Sequence, residues 1–502
     1  MRKICIFALL ALSAALLSAC KDEPLSAPDE QQIGAMRPSN DMLELGQELQ
    51  DPYRIDIMRQ AYANITGSKS ALEPTHRYLR FLPKDDDEYY RLKAANLELF
   101  DFPLHYEIAQ PGTYYHDPAL PADAITWQYC VVPVGRELPE DIAHELLYEV
   151  FIPTASVDGS KSGLLDALED EAMRLTGHTE LIPPADGAKA KRWNPSGTIK
   201  VWDDVRQQLE PLVGARVHAR WLTHVETCLT DANGYFRTAS FRFQVNYSIK
   251  WERADFDIRS GNWGQAWYNG PKQKTAWNLD ITKGGLSWVY AQVLRWANKY
   301  WYDNTLGIKT PPQNTTWKRA VKIGVMDKDG RAFYSRTNRW TTFPEIKIYR
   351  YEEGKECRAD RLLEIVCHEL AHASHWDMDK EIYRKADRIV KESWAVGVGC
   401  FFADDEYHNQ TISKWNYGAN FTWIKNEGEG LYTPLVVDLR DGINQYGADL
   451  PIDRVSGYSL YQIEQALKGC TTLAQWRDRL KSMYSNPTSV YLDELFDNYI
   501  NL

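Results

Sequence analysis

One stretch constrains this chain more than any other: Leu362-Leu363-Glu364-Ile365-Val366-Cys367-His368-Glu369-Leu370-Ala371-His372-Ala373-Ser374-His375. Leu362, Leu363, Ile365, Val366 and Leu370 give it enough apolar surface to bury a helix deeply. On that helix His368 and His372 stand one turn apart and project to the same side. Two imidazoles at i and i+4 can share one metal ion, and the carboxylate of Glu369 between them can reach a water that the metal activates. Burial keeps such a site rigid and partly dry.

A candidate third ligand stands downstream in Lys391-Glu392-Ser393-Trp394-Ala395. The separation from the second histidine, 392 − 372 = 20 residues, is enough to finish one helix, turn, and bring a second helix back past the metal. Three protein ligands and an open position are the usual catalytic zinc arrangement, whereas structural sites use four ligands and are cysteine-rich. The chain has no C-x-x-C pair.

His368-Glu369-Leu370-Ala371-His372 followed by Glu392-Ser393-Trp394-Ala395 resembles the gluzincin branch of zinc metallopeptidases, the thermolysin-like zincins. The resemblance covers the active-site core, roughly the last half of the chain. It implies Zn2+ held by His368, His372 and Glu392, with Glu369 as general base. A metzincin pattern fails, because its third histidine would fall on Met378. One position departs from the resemblance. Thermolysin-like enzymes carry an Asp four residues after the ligand Glu to support a ligand His, and that position here is Val396. His375 shares the metal-facing side at i+7, but one straight helix cannot wrap three ligands around one ion, so it reads as support or packing.

The chain has 502 residues, 44% of them hydrophobic and 25% charged, with 18 Trp and 29 Tyr. That composition supports sizeable cores in two to four domains and argues against global disorder. A net charge of −11 without a basic stripe argues against nucleic acid as a partner.

The first residues read as an address. Met1-Arg2-Lys3 is a positive segment, Ile4 to Leu16 is apolar, and Leu17-Ser18-Ala19-Cys20 resembles the bacterial lipobox. The resemblance implies cleavage before Cys20 and lipidation of its thiol. The expected location is therefore the outer membrane, held by lipid alone. Lys21-Asp22-Glu23 resembles the surface-export signal of some Gram-negative lipoproteins. Once Cys5 is removed and Cys20 acylated, six thiols remain, at Cys130, Cys228, Cys357, Cys367, Cys400 and Cys470; in a chain this long most read as free buried thiols.

The expected fold class is α+β and multidomain: a zincin-like metallopeptidase domain with a helical C-terminal subdomain, preceded by a small β-sandwich and an N-terminal α+β domain. The boundaries read from sequence are a signal peptide over 1–19, a tether over 20–48, the N-terminal domain over 49–158, a helix and linker over 159–204, the sandwich over 205–258 and the catalytic unit over 259–502. In the N-terminal domain Asp85-Asp86-Asp87-Glu88 reads as a solvated helix start rather than a calcium loop. In the sandwich, Val213 to Trp221 and Phe241 to Trp251 alternate with period two around an Asp231-Ala232-Asn233-Gly234 turn. Pro211 to Val217 with Thr230 to Phe236 resembles the carboxypeptidase-regulatory-like repeat, which implies a spacer or binding module. His218 and His224 read as outward strand residues.

Helical spacing of Leu286, Val289, Tyr290, Val293, Leu294, Ala297 and Tyr300, strands near 320–326 and 345–350, and then the motif helix follow the zincin order. That resemblance implies that the strand before the motif helix is the sheet edge, which pairs with an extended peptide. Gly397-Val398-Gly399 allows close helix packing or a break. Helices are expected over 458–467, 473–484 and 492–500. The zincin resemblance implies that this last part of the chain walls the cleft and supplies a donor to the developing oxyanion, with His408, Tyr458, Tyr461 and Arg454 as candidates.

The function these readings predict is peptide-bond hydrolysis by a lipid-anchored extracytoplasmic zinc metallopeptidase acting on a peptide or protein. Two other readings stay open. One is a surface protein that binds glycan or a protein partner through the β module, with a zincin domain that does not cleave. The other is a zinc hydrolase of a non-peptide amide or of cell-wall peptide.

Overall fold

The structure is a computed structural model. It describes residues 42–68, 72–153, 162–182, 192–262, 264–315, 319–335, 343–407, 425–427, 430–442 and 453–500. The leader, Cys20 and His408 lie outside the described residues. The protein is a multidomain α+β chain with several sheets and packed helices. Among the described residues no helix is long and apolar enough to cross a membrane.

The N-terminal unit centres on a three-stranded antiparallel sheet, with His76–Phe81 between Gln128–Pro133 and His144–Val150. Its core gathers Leu79, Phe81, Cys130 and Val132 against Tyr89 and Leu92 of the helix Asp86–Ala94. That helix starts where the acidic run predicts: Asp85 caps it, accepting from the Glu88 amide at 3.0 Å. Asp86 and Glu88 are ion-paired with Lys322 and Lys84. The folded body begins earlier than the tether boundary at 48. Glu44–Glu48 pairs with Tyr106–Gln110, and Leu43 is buried. The helix expected at the start of the 159–204 segment is present as Ser162–Leu175 and packs on Ile55–Thr66.

The sandwich is larger than its sequence boundaries. One sheet places Ser196–Asp203 between Tyr235–Arg237 and Leu279–Ile281, with Gln208–Pro211 also paired to it. The other runs Trp267–Gln273, Val245–Lys250, Arg216–Trp221, His224–Leu229. Phe236 of the first sheet meets Tyr247 of the second edge-on at 5.9 Å. Trp267–Gln273 contains Gly270 and Pro271, which hide it from a period-two reading. His218 and His224 do not face outward. His218 is fully buried and 3.0 Å from Glu98, and His224 stacks on Phe241 with centroids 4.1 Å apart. Both faces of this sheet are covered, the second by the N-terminal unit, so alternation alone misplaces them.

Between two sandwich strands the chain leaves to form Phe256–Ser260, the first strand of a separate sheet. Phe256–Ser260, Val321–Asp329 and Ile346–Glu352 run parallel in that order. The strand before the motif helix, Ile346–Glu352, is not the sheet edge. Its outer side is taken by Phe333–Tyr334 and by Lys355–Glu356, both antiparallel and too short to carry a periodic signal. Beyond the sheet, Leu286–Tyr302 backs the motif helix Ala359–Met378, which in turn packs against Arg388–Tyr407. The C-terminal helices are Leu460–Leu467, Leu473–Met483 and Leu492–Ile500; Ser459 with Gln462 and Thr472 with Gln475 form capping boxes at the first two.

Candidate metal centre

The motif helix is buried from Ala359 through Trp376 with the exception of Arg361. Its apolar residues are shared between Leu286–Tyr302 and Arg388–Tyr407, which accounts for a helix submerged on nearly all sides. Gly399 lets the helix Arg388–Tyr407 approach the motif helix, and Gly397 lets Val436 approach from the other direction. A Cβ on Gly399 would stand 2.7 Å from the Glu364 carbonyl oxygen and 3.4 Å from Cβ of His368. A Cβ on Gly397 would meet Val436 at 2.3 Å. The helix runs unbroken through both, so the Gly-Val-Gly segment serves packing and not a break.

That close approach brings the sequence-predicted ligands together. His368, Glu369, His372 and Glu392 are all buried, and Glu369 is 0% exposed. Ligand atoms of His368, Glu369 and His372 lie within 4.8 Å of one another, a group that can hold a metal ion. Glu392, one helix away, points its Oε2 at both imidazoles, 3.5 Å from Nε2 of His368 and 3.3 Å from Nε2 of His372. This buried oxygen has no hydrogen-bond partner. A carboxylate oxygen and two imidazole nitrogens turned on one point, with the oxygen unsatisfied, are a donor set that fits a cation. Burial alone would raise the Glu392 carboxyl, but the two histidines outweigh it and hold it at about 2.

Three residues around this group have no motif of their own. Tyr383, on the short helix Lys380–Lys385, places its hydroxyl 3.3 Å from Nδ1 of His372. It is a hydrogen-bond partner for His372 of a kind that Val396 cannot be. Arg388 lies 3.6 Å from Oε1 of Glu392, which leaves Oε2 for the histidines. Its i,i+4 relation to Glu392 was visible in the sequence. Tyr334, from the outer strand, lays its ring nearly parallel to His372 at 6.4 Å. His375 is buried edge-on against Tyr383 at 5.0 Å, and burial pushes its imidazole down to about 3. It supports Tyr383 and stands apart from the ligand group.

The oxyanion candidates are not brought to the centre by any described contact. Arg454 pairs with Glu494 and covers Tyr491, Tyr461 is 52% exposed, and Tyr458 is buried with its amide bonded to Leu439. All six described cysteines are free thiols, five of them buried.

No family model matches this sequence, and no curated protein matches it. Among solved structures, a 9R-lipoxygenase from Cyanothece PCC8801 aligns with 30% of this chain and 31% of its own, at 13% identity and a TM-score of 0.12. The match spans less than a third of that protein, a likeness too slight to bear on fold or function.

Proposed function

We propose that this protein is a zinc-dependent peptidase of the gluzincin type, with His368, His372 and Glu392 as metal ligands and Glu369 as general base. The observation that carries the reading is the unsatisfied, buried Oε2 of Glu392 facing both Nε2 atoms, with Glu369 a fourth buried group beside them. Zinc, when bound there, supplies Lewis acidity toward the scissile carbonyl and lowers the pKa of water. Glu369, between the two histidines, takes the proton of the attacking water and passes it to the leaving amine. Tyr383 fixes the orientation of His372 through Nδ1, and Arg388 fixes that of Glu392 through Oε1. The substrate class is a peptide or protein. The lipobox-like Leu17-Ser18-Ala19-Cys20 supports a lipid-anchored, extracytoplasmic placement for this activity.

The test is metal analysis of the wild type beside His368→Ala, together with casein hydrolysis by Glu369→Gln. One zinc per wild-type chain, lost in His368→Ala, and a zinc-loaded but inactive Glu369→Gln protein are the expected results. A well-folded wild type that takes up no zinc would overturn the metal centre. An active Glu369→Gln enzyme would overturn the general base.

A further inference from the structure

The sandwich sheet of Arg216–Trp221, Val245–Lys250 and Trp267–Gln273 turns a polar face toward the N-terminal unit. Most of its charges are matched, by Glu98 of that unit or by Glu252 just past the strand Val245–Lys250. Arg216 and His218 meet Glu98 at 2.7 and 3.0 Å, and Lys250 meets Glu252 at 3.2 Å. Arg220 is the exception. It is 2% exposed, its guanidinium lies 5.4 Å from the centre of the Phe102 ring, and it donates to the Leu104 carbonyl oxygen at 3.2 Å. No ion pair with a carboxylate accompanies it among the described residues. A buried guanidinium without an anion is costly to keep charged, which favours a ligand that brings one.

Arg220 lines a cleft of about 290 Å³ between the sandwich and the strand Tyr106–Gln110. Two more polar groups of that cleft are unsatisfied. The Ser248 hydroxyl is buried and has no hydrogen-bond partner. Asn269 donates its Nδ2 to the Gly112 carbonyl oxygen at 2.8 Å, which fixes the carboxamide and leaves Oδ1 as an acceptor without a donor. Lys272, 4.4 Å from the Trp221 ring centre, adds a second cation, and Glu107 is the one carboxylate lining the cleft. The volume sits at the small end of ligand clefts, which start at roughly 300 Å³. It suits a sugar-sized molecule rather than a peptide.

We propose that this cleft binds a small hydroxylated carboxylate, an acidic sugar of the uronic acid type, with its carboxylate on Arg220 and its hydroxyls on Ser248 and Asn269. The complementarity is specific. A fully ionised oxyanion such as sulfate satisfies Arg220 but offers Asn269 Oδ1 no donor. A neutral sugar satisfies Ser248 and Asn269 but leaves Arg220 without its anion. The site does not depend on the metal centre.

The test is calorimetry and saturation-transfer NMR on the purified protein with D-glucuronate, D-galacturonate, glucose and sulfate. At least one uronate should bind, with glucose and sulfate about tenfold weaker or worse. Arg220→Met should weaken uronate binding by about tenfold or more, and Ser248→Ala by several-fold. Arg220→Met removes a buried unpaired charge and should stay folded; if it does not, Asn269→Asp, which sets a carboxylate against the ligand, gives the same loss of binding. The proposal is overturned if neither uronate binds the wild type at about 20 mM. It is also overturned if the folded variants bind unchanged, or if sulfate or glucose binds as tightly as the uronates.

Discussion

The Tyr383 hydroxyl stands 3.3 Å from Nδ1 of His372, on the side of the ring away from Glu392. It joins an eleven-residue step in sequence to a single imidazole orientation. Tyr383→Phe keeps the edge-on packing with His375 and removes only the hydroxyl. We expect zinc affinity to fall by about 10- to 100-fold, with Tm in the metal-free state nearly unchanged. Competition against a chromogenic chelator measures the first quantity and a melt in EDTA the second.

Zinc that binds only the folded chain raises its stability by mass action. At a free metal concentration about a hundredfold above Kd the gain is about 2.7 kcal/mol. Adding zinc to metal-free wild type should therefore raise Tm, and chelation should reverse the rise. Glu392→Ala should abolish the response, because two imidazoles alone hold the metal far less well. A scanning melt with and without zinc decides the point.

The approach of the two site helices at Gly399 leaves no room for a methyl group, since the Glu364 carbonyl is 2.7 Å from where it would sit. Gly399→Ala should cost about 1–3 kcal/mol and move Glu392 away from the histidines. Both a lower urea midpoint and weaker zinc uptake are expected from the same substitution.

Lys93 reaches from the helix Asp86–Ala94 to Glu252 at 2.9 Å and to Asp257 on the first strand of the motif sheet. All three are nearly inaccessible to water. Glu252 keeps Lys250 and Arg216, and Asp257 keeps Arg259, so Lys93→Met removes one cation of a shared network and should destabilise the protein by about 1.5–3 kcal/mol. Lys93→Met with Asp257→Asn should recover part of that loss, which a double-mutant cycle by urea melts would show.

Burial pushes the His224 and His218 imidazoles below their ordinary range, in spite of Glu226 and Glu98 beside them. The folded chain thus binds fewer protons than the unfolded one as pH falls through about 6.5. Stability should be full above that pH and decline below it, by up to about 1.4 kcal/mol per pH unit for each such histidine. Urea melts between pH 7.5 and 5.5 should show the decline, and a shallower one in His224→Gln.

The elements with long apolar periods were legible. The backing helix, the motif helix and the three C-terminal helices lie within a few residues of where spacing puts them. His368, His372 and Glu392 converge because an i,i+4 pair and a return helix leave few other arrangements. What escaped the sequence depends on distant partners. Phe333–Tyr334 is two residues long, and Tyr383 has no periodic relation to His372. His218 and Arg220 occupy alternating polar positions that are read as solvent-facing unless a second unit covers them.

The excursion of Phe256–Ser260 out of the sandwich, before Trp267–Gln273 returns to it, has a consequence for how the molecule comes apart. Sandwich and motif sheet are stitched by one thread passing through both. A cut at residue 258 would remove the sandwich strand that pairs along Val245–Lys250 and would split the first strand of the other sheet. Neither half can be released as a free-standing piece. The chain should lose both in a single cooperative step, and limited proteolysis should fail to yield a stable fragment ending between the two.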